Sequence, residues 1–304
     1  QVNFGNPSFH QLCDGQNDRK CAVNCYNRFF GGDPAEAERD IDYWEGWIGK
    51  RMQATKSVIN KVDLFIAPSR YLMNRFLSDF GIPQSKLIYL DYGFPTHYLS
   101  PIGKQPLSAY TFGYIGTHIP AKGVDMLIEA FSGLKGNACL KIWGRPNGQS
   151  TKHLEGLASQ SPNPVHFMGE YVNSNLAKEV FSQVDAIVVP SIWGENSPLV
   201  IHEAQACHVP VVTADFGGMG EYVQHLENGL LFEHRNARAL LDQMQYAVEN
   251  PEFMEKLGKR GYLHTSDGQV PNIEEHCQQL EILYHQIQQN HESNPRPMAN
   301  NARY

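Results

Sequence analysis

Short apolar runs alternate with helix-patterned segments through the middle of this 304-residue chain, and no other feature restricts its fold as much. Residues 139–143, 165–168, 186–189, 209–212 and 230–232 read as strands. Residues 124–134, 151–160, 173–184 and 237–248, and the segment entered through Ser197-Pro198, read as helices between them. The runs 186–189 and 209–212 are β-branched and lack the polar alternation of a half-exposed strand, which is the pattern of strands covered on both faces. Alternation of this kind produces a parallel sheet wrapped by helices, so residues from about 101 to 265 are expected to form one complete α/β domain.

The first hundred residues carry fewer such signals. A long helix over 34–61, a strand at 64–67, a helix at 71–80 and a strand at 86–90 are expected. Two strands cannot bury both faces of a sheet, and an open edge invites pairing. The chain is therefore expected to be truncated at its N-terminus, or to take the missing strands of that half-domain from a partner chain. At the other end, Ile273, Leu280, Leu283 and Tyr284 stand at helical spacing within 272–289. The polar residues that follow are expected to be disordered. The organisation expected is a partial domain over 1–97, a complete domain over 98–270, a crossing helix over 271–289 and a tail over 290–304.

Composition removes several classes. A net charge of −7 and a pI near 6.0 argue against a nucleic-acid partner, which requires a basic footprint. No apolar run approaches the roughly 20 residues of a membrane span. A cytoplasmic protein is expected, with peripheral association at the inner face of a membrane left open. An anionic ligand must then find local positive groups.

Residues 185–220 supply the chemistry for one. A strand ends at Val189, a polar loop follows with Trp193-Gly-Glu195, a helix begins after Ser197, and a second strand leads to Gly217-Gly218. The helix start offers unpaired N–H groups and the positive dipole end to phosphate oxygens, with Pro198 suited to the first helical position. Glu195 and Glu203 are placed to accept hydrogen bonds from hydroxyls. With 32 acidic residues in the chain, two glutamates eight apart occur by accident. Here Ala204, Ala206 and Cys207 hold the helix close to the sheet, and a carboxylate on such a helix is costly without partners. Upstream, Lys122 follows the glycine-bearing strand end Phe112-Gly-Tyr-Ile-Gly116 and precedes a helix, where its ammonium and nearby amides suit a diphosphate.

These segments resemble the donor-site signature of the family 4 retaining glycosyltransferases, which have the GT-B architecture of two facing Rossmann-like domains. The resemblance rests on Glu195-x7-Glu203, the Pro210-Val-Val-Thr-Ala run, Gly217-Gly218-x-x-Glu221, the loop at 112–125, and Val62-Asp-Leu-Phe-Ile-Ala-Pro-Ser69 with Gly81-Ile-Pro83. It covers about residue 10 to about residue 265, in the family's order. It implies that Glu203 binds ribose hydroxyls and that Glu195 acts at the donor sugar. Lys122 and the backbone of Pro198, Leu199 and Val200 would take the diphosphate, and the loop from Gly169 to Tyr171 the base. Gly116, Thr117, Asn196 and Ser197 complete the expected donor-binding set. The family's usual arginine after the phosphate-loop glycine is Thr117 here, and Arg145 is the candidate to supply the missing charge. The histidine and glycine loop of the first domain would lie before Gln1, and the C-terminal helix would brace that domain.

A dinucleotide-binding dehydrogenase fails the glycine test, because Gly113-Tyr-Ile-Gly116 is not Gly-x-Gly-x-x-Gly. His10, Cys13, Cys21 and Cys25 could offer zinc ligands, but their spacing is irregular, and free thiols in a loop are the expectation. His118 and His202, beside the expected site, are expected to be structural or solvated, and Cys139 and Cys207 small core residues. The resemblance implies a metal-independent retaining hexosyltransferase of α/β, GT-B-like fold, with no cofactor. Its donor would be a nucleotide-sugar such as a UDP- or GDP-hexose, and its acceptor a sugar, glycan or lipid-linked molecule. A catalytically incomplete nucleotide-sugar-binding protein and a GT-B-like sugar-nucleotide epimerase remain the alternatives.

Overall fold

The computed structural model of the protein describes residue 13 and residues 15–26, 34–104 and 108–293. Six parallel strands make the main sheet: β3 (Tyr110–Ile115), β4 (Ala138–Trp143), β5 (Val165–Gly169), β6 (Ala186–Val189), β7 (Val211–Ala214) and β8 (Gly229–Phe232). Their spatial order is β5-β4-β3-β6-β7-β8. All four residues of β6 and of β7 are buried, as strands covered on both faces must be.

Several of the covering helices follow the apolar spacing. In α4 (Val124–Ser132), Val124, Leu127, Ile128 and Phe131 are buried, one stripe at intervals of three and four. The others around this sheet are α5 (Gly148–Gln160), α7 (Leu199–Ala206), α9 (Ala237–Glu249) and α10 (Pro251–Arg260), with the short turns α6 (Leu176–Glu179) and α8 (Met219–Tyr222). Phe112, Phe131, Leu127, Leu140, Ile187 and Ile201 are wholly buried in the single core they share.

Three expectations are corrected. The helix expected over 173–184 is broken into α6 between two 3-10 turns. Val180 leaves helical geometry at φ −123°, ψ −64°, and Val180, Phe181 and Val184 all reach the core. The Ser182 hydroxyl and the Gln183 amide donate to the carbonyls of Lys178 and Glu179 that a continued helix would have used. Pro198 is the N-cap residue, and the helix begins one position later, at Leu199. Finally, residues 290–293 are helical, within α11 (Ile273–Ser293), where His291 meets Asp63; residues 294–304 of the expected tail lie outside the described residues.

The segment before the main sheet holds α1 (Asp18–Cys21), α2 (Pro34–Ile59), β1 (Phe65–Ala67), α3 (Arg70–Phe80) and β2 (Leu87–Tyr89). β1 and β2 pair in parallel as a two-stranded sheet. Two small buried clusters serve this region, one around Ile41 and Ile48 and one around Ala67, Ile82 and Leu87. α3 is framed as its sequence dictates: Ser69 accepts from the Leu72 N–H at 3.1 Å, and Gly81 closes the helix in the left-handed region.

α11 runs back across the two-stranded sheet. His291 Nε2 lies 3.0 Å from Asp63 Oδ1, and the Ile273 N–H donates to the Phe94 carbonyl at 3.0 Å. Tyr284 nonetheless faces solvent, 73% exposed, so the apolar stripe of this helix is narrower than its sequence suggests.

Candidate functional site

Strand order in the main sheet reverses between β3 and β6: the chain steps outward from β3 through β4 to β5, then returns to β6 and steps the other way. Sheets wound in this manner bind ligands outside the carboxyl ends of the strands at that reversal. Lys122 follows β3 and Glu195 follows β6, and the structure joins them there, with Lys122 Nζ 2.6 Å from Glu195 Oε1. The same oxygen accepts from the Ser191 hydroxyl at 2.7 Å. Glu195 is buried and Lys122 half-buried, so the ammonium is the partner that meets water.

The approach of the two loops depends on Gly123, whose φ of +67° is in the left-handed region. A Cβ there would stand 2.2 Å from the Pro190 carbonyl oxygen. The Ile192 N–H donates to the Ala121 carbonyl at 3.0 Å and locks the pair. The loop after β7 closes on the same place. The Gly218 N–H donates to the Glu195 carbonyl at 2.7 Å, and a Cβ on Gly218 would lie 2.0 Å from the Asn196 carbonyl oxygen. Glycines are needed at these two contacts because backbone meets backbone.

On the other side of β3 the strand ends are laced together. The Gly116 N–H donates to the Trp143 carbonyl at 3.1 Å, the Gly144 N–H to the Gly169 carbonyl at 2.9 Å, and the His118 N–H to the Arg145 carbonyl at 3.1 Å. Thr117 is exposed, and its carbonyl accepts from the Tyr114 hydroxyl at 3.2 Å. Arg145 is exposed and makes no ion pair among the described residues. His118 is buried, with Nδ1 3.2 Å from Thr151 Oγ1, and burial lowers its pKa. It is not solvated, and its Nε2 has no hydrogen-bond partner among the described residues.

Glu203 sits in the second turn of α7 with no hydrogen bond or ion pair to its carboxylate among the described residues, and burial pushes its pKa up to about 7. Tyr171, from the loop after β5, is close enough to feel that charge. Burial first and Glu203 second push the phenol up to about 12. A half-buried carboxylate near a phenol and lacking protein donors can accept from a bound ligand. At the start of the same helix no side chain caps the first turn, and Leu199 is 50% exposed and Val200 partly so.

Two residues that bear on the site carry no local signal in the sequence. Ser191 is one. The other is Asp91, buried just beyond β2, whose carboxylate accepts from Ser197 Oγ (3.3 Å), His202 Nε2 (3.0 Å), the Tyr222 hydroxyl (3.3 Å), the Tyr262 hydroxyl (2.6 Å) and the Tyr92 N–H (2.8 Å). Burial alone would raise the Asp91 carboxyl, but the hydrogen bond and charge of His202, then Tyr262 and the Tyr92 amide, hold it below the usual range. The Ser197 hydroxyl is thus engaged with Asp91. Glu221 has an equally unforeseen role, since its carboxylate caps α3 through the N–H groups of Arg70 and Tyr71. Among the described residues no group of three His, Cys, Asp or Glu side chains is arranged to hold a metal ion, and His10 lies outside them.

Comparison with known proteins bears on the fold and the family. An uncharacterised glycosyltransferase of Methanocaldococcus jannaschii is 31% identical over 154 residues, 50% of this chain and 42% of that protein. A GDP-mannose-dependent monoacylated alpha-(1-6)-phosphatidylinositol monomannoside mannosyltransferase of Corynebacterium glutamicum is 28% identical over 240 residues, 73% of this chain and 62% of that one. The chain thus spans less than two thirds of the length of these relatives. In structure, sucrose-phosphate synthase from Thermosynechococcus elongatus superposes with a TM-score of 0.69 at 24% identity, covering 79% of this chain and 62% of the other. Anabaena HepE in complex with UDP-glucose gives 0.66 at 18% identity, covering 78% and 68%. These likenesses support the α/β, GT-B-like fold. Residues 101–264, which contain the six-stranded sheet, the Lys122–Glu195 contact and the helix bearing Glu203, match the family model for glycosyl transferases group 1, and the chain belongs to that family.

Proposed function

We propose that the chain binds a nucleotide-sugar at the carboxyl ends of β3 and β6 and transfers its hexosyl group to an acceptor with retention of configuration. The observation that carries this reading is Glu203, a half-buried carboxylate without a hydrogen-bond partner among the described residues, on a helix whose first turn no side chain caps. Ribose hydroxyls supply the donors it lacks. The amides of Leu199 and Val200 and the ammonium of Lys122 take the diphosphate. Tyr171 and the turn at Gly169 flank the base, with Gly116, Thr117 and Arg145 along the same rim.

In this reading Glu195 holds a hydroxyl of the donor sugar, oriented by Ser191 and Lys122, and Asn196 lies beside it. The leaving phosphate takes the acceptor proton, so the retaining step needs no second catalytic carboxylate, unlike a glycosidase. The chemistry asks for no metal or redox cofactor. Relatives that name a GDP-mannose donor and a phosphatidylinositol acceptor, and a neighbour holding UDP-glucose, support a nucleotide-sugar donor and a sugar or lipid-linked acceptor for this chain.

Proton NMR of the chain with UDP- and GDP-hexoses tests the proposal. Sugar released or transferred should appear first as the donor's own anomer. The opposite anomer would contradict retention. A donor that is bound but not consumed would favour a nucleotide-sugar-binding protein, and a product still attached to nucleotide but altered at one sugar carbon would indicate an epimerase.

A further inference from the structure

The side chain next to Glu203 is in an unusual position. His202 is wholly buried, and both of its ring nitrogens face oxygen acceptors: Nε2 lies 3.0 Å from Asp91 Oδ2 and Nδ1 3.3 Å from the Pro198 carbonyl. A neutral imidazole carries one N–H and would leave one nitrogen lone pair against an oxygen. The imidazolium satisfies both. The other groups packed on the ring are Phe94, stacked at 4.8 Å, and the phenols of Tyr222 and Tyr262, so the Asp91 carboxylate is the opposite charge this ring meets.

The pair spans the junction between the two sheets. Asp91 follows β2 of the small sheet, whereas His202 lies in α7 on the main sheet. Tyr222 ties the same network to the end of β1 by donating to the Pro68 carbonyl at 2.6 Å. Through its second nitrogen, His202 grips the N-cap carbonyl of α7, and through Asp91 the Ser197 hydroxyl is held as well. The first turn of this helix is therefore fixed from outside its own sheet.

We propose that Asp91 and His202 form a buried ion pair that positions α7 for the diphosphate and ribose of the donor. This inference rests on the donor-site reading above. Neither residue touches the ligand; the pair sets the attitude of the Leu199 and Val200 amides and of the Glu203 carboxylate. When it is broken, the binding-competent attitude of α7 becomes a minor population, and apparent affinity falls by that fraction.

The test uses the full chain with UDP and GDP as probes. Asp91→Asn should weaken nucleotide binding by about tenfold or more at a temperature well below its melting midpoint. Leu240→Ala in α9, a core truncation of comparable stability cost, should leave affinity unchanged. Nitrogen-15 NMR should show both His202 ring nitrogens protonated in the wild type, one of them losing its proton in Asp91→Asn, and the ring signals shifting when nucleotide is added. If Asp91→Asn does not fold, the wild-type spectra decide: a neutral ring, or ring signals unmoved by bound nucleotide, would overturn the proposal. Equal affinity in Asp91→Asn would also overturn it while leaving the donor site standing. A wild type that binds neither nucleotide would overturn the donor reading itself.

Discussion

At Glu203 stability and function pull against each other. Its carboxyl is pushed by burial from the ordinary 4.5 up to about 7. A carboxyl raised in the folded state contributes stability below its unfolded pKa that is lost as pH rises through the folded one, so the fold weakens between about pH 4.5 and 7. The full effect is about 3 kcal/mol. Glu203→Gln should therefore melt higher than the wild type at pH 8 and close to it at pH 4.5, and the gap should be absent if ionised Glu203 has partners in solution. The same substitution should weaken nucleotide binding by about 1.5–3 kcal/mol at pH 8, where the wild type offers a charged acceptor. On the proposed reading Lys122 acts on the donor through its charge. Lys122→Ala should cost UDP or GDP much more affinity than the corresponding nucleoside in parallel calorimetric titrations, since the lost attraction is to phosphate. Equal losses would make Lys122 only the counter-ion of Glu195.

Among the elements, the loops after β3, β6 and β7 matter most, because their backbones touch. Gly123→Ala places a methyl group 2.2 Å from the Pro190 oxygen at a φ of +67°. The loops must part, at a cost of about 1–3 kcal/mol, and the Lys122–Glu195 contact should open with them. A thermal melt and a nucleotide titration of that variant should both fall. Much of this layer was legible in the sequence. β6 is an unbroken apolar run and β7 is interrupted only by Thr213, and the α4 stripe at Val124, Leu127, Ile128 and Phe131 has a helical period, so local composition specifies them. Glu195 and Glu203 stood out because a polar pair flanked a small-residue helix start. Contacts between distant segments left no local trace: Lys122 meets Glu195 73 positions away, and Asp91 meets Tyr262 171 positions away. Segment 173–184 has a helical pattern, yet the need to bury Val180, Phe181 and Val184 against the sheet breaks it. α10 escaped notice although Pro251 stands at its first turn, because its buried face is only Met254, Leu257 and Gly258.

For the whole molecule, the core is unequally shared. One continuous cluster fills the main sheet and its helices, whereas α2 rests on a small cluster of Ala22, Ile41 and Ile48. Local opening is cheapest where buried apolar contacts are few. Limited proteolysis should accordingly cleave within the first sixty residues before it touches the strands from β3 to β8; cleavage in the reverse order would contradict this view of the core. What unites the molecule is the crevice at the strand reversal, where loops from both halves of the main sheet converge and where Asp91 and Glu221 tie in the small sheet. Hydrogen exchange of the full chain with and without UDP or GDP tests that claim most directly. The account predicts new protection confined to residues 116–123, 169–172 and 190–203. Protection centred instead on the groove between Asp63, Ile88 and Leu283, or no protection from either nucleotide at saturating concentration, would contradict it.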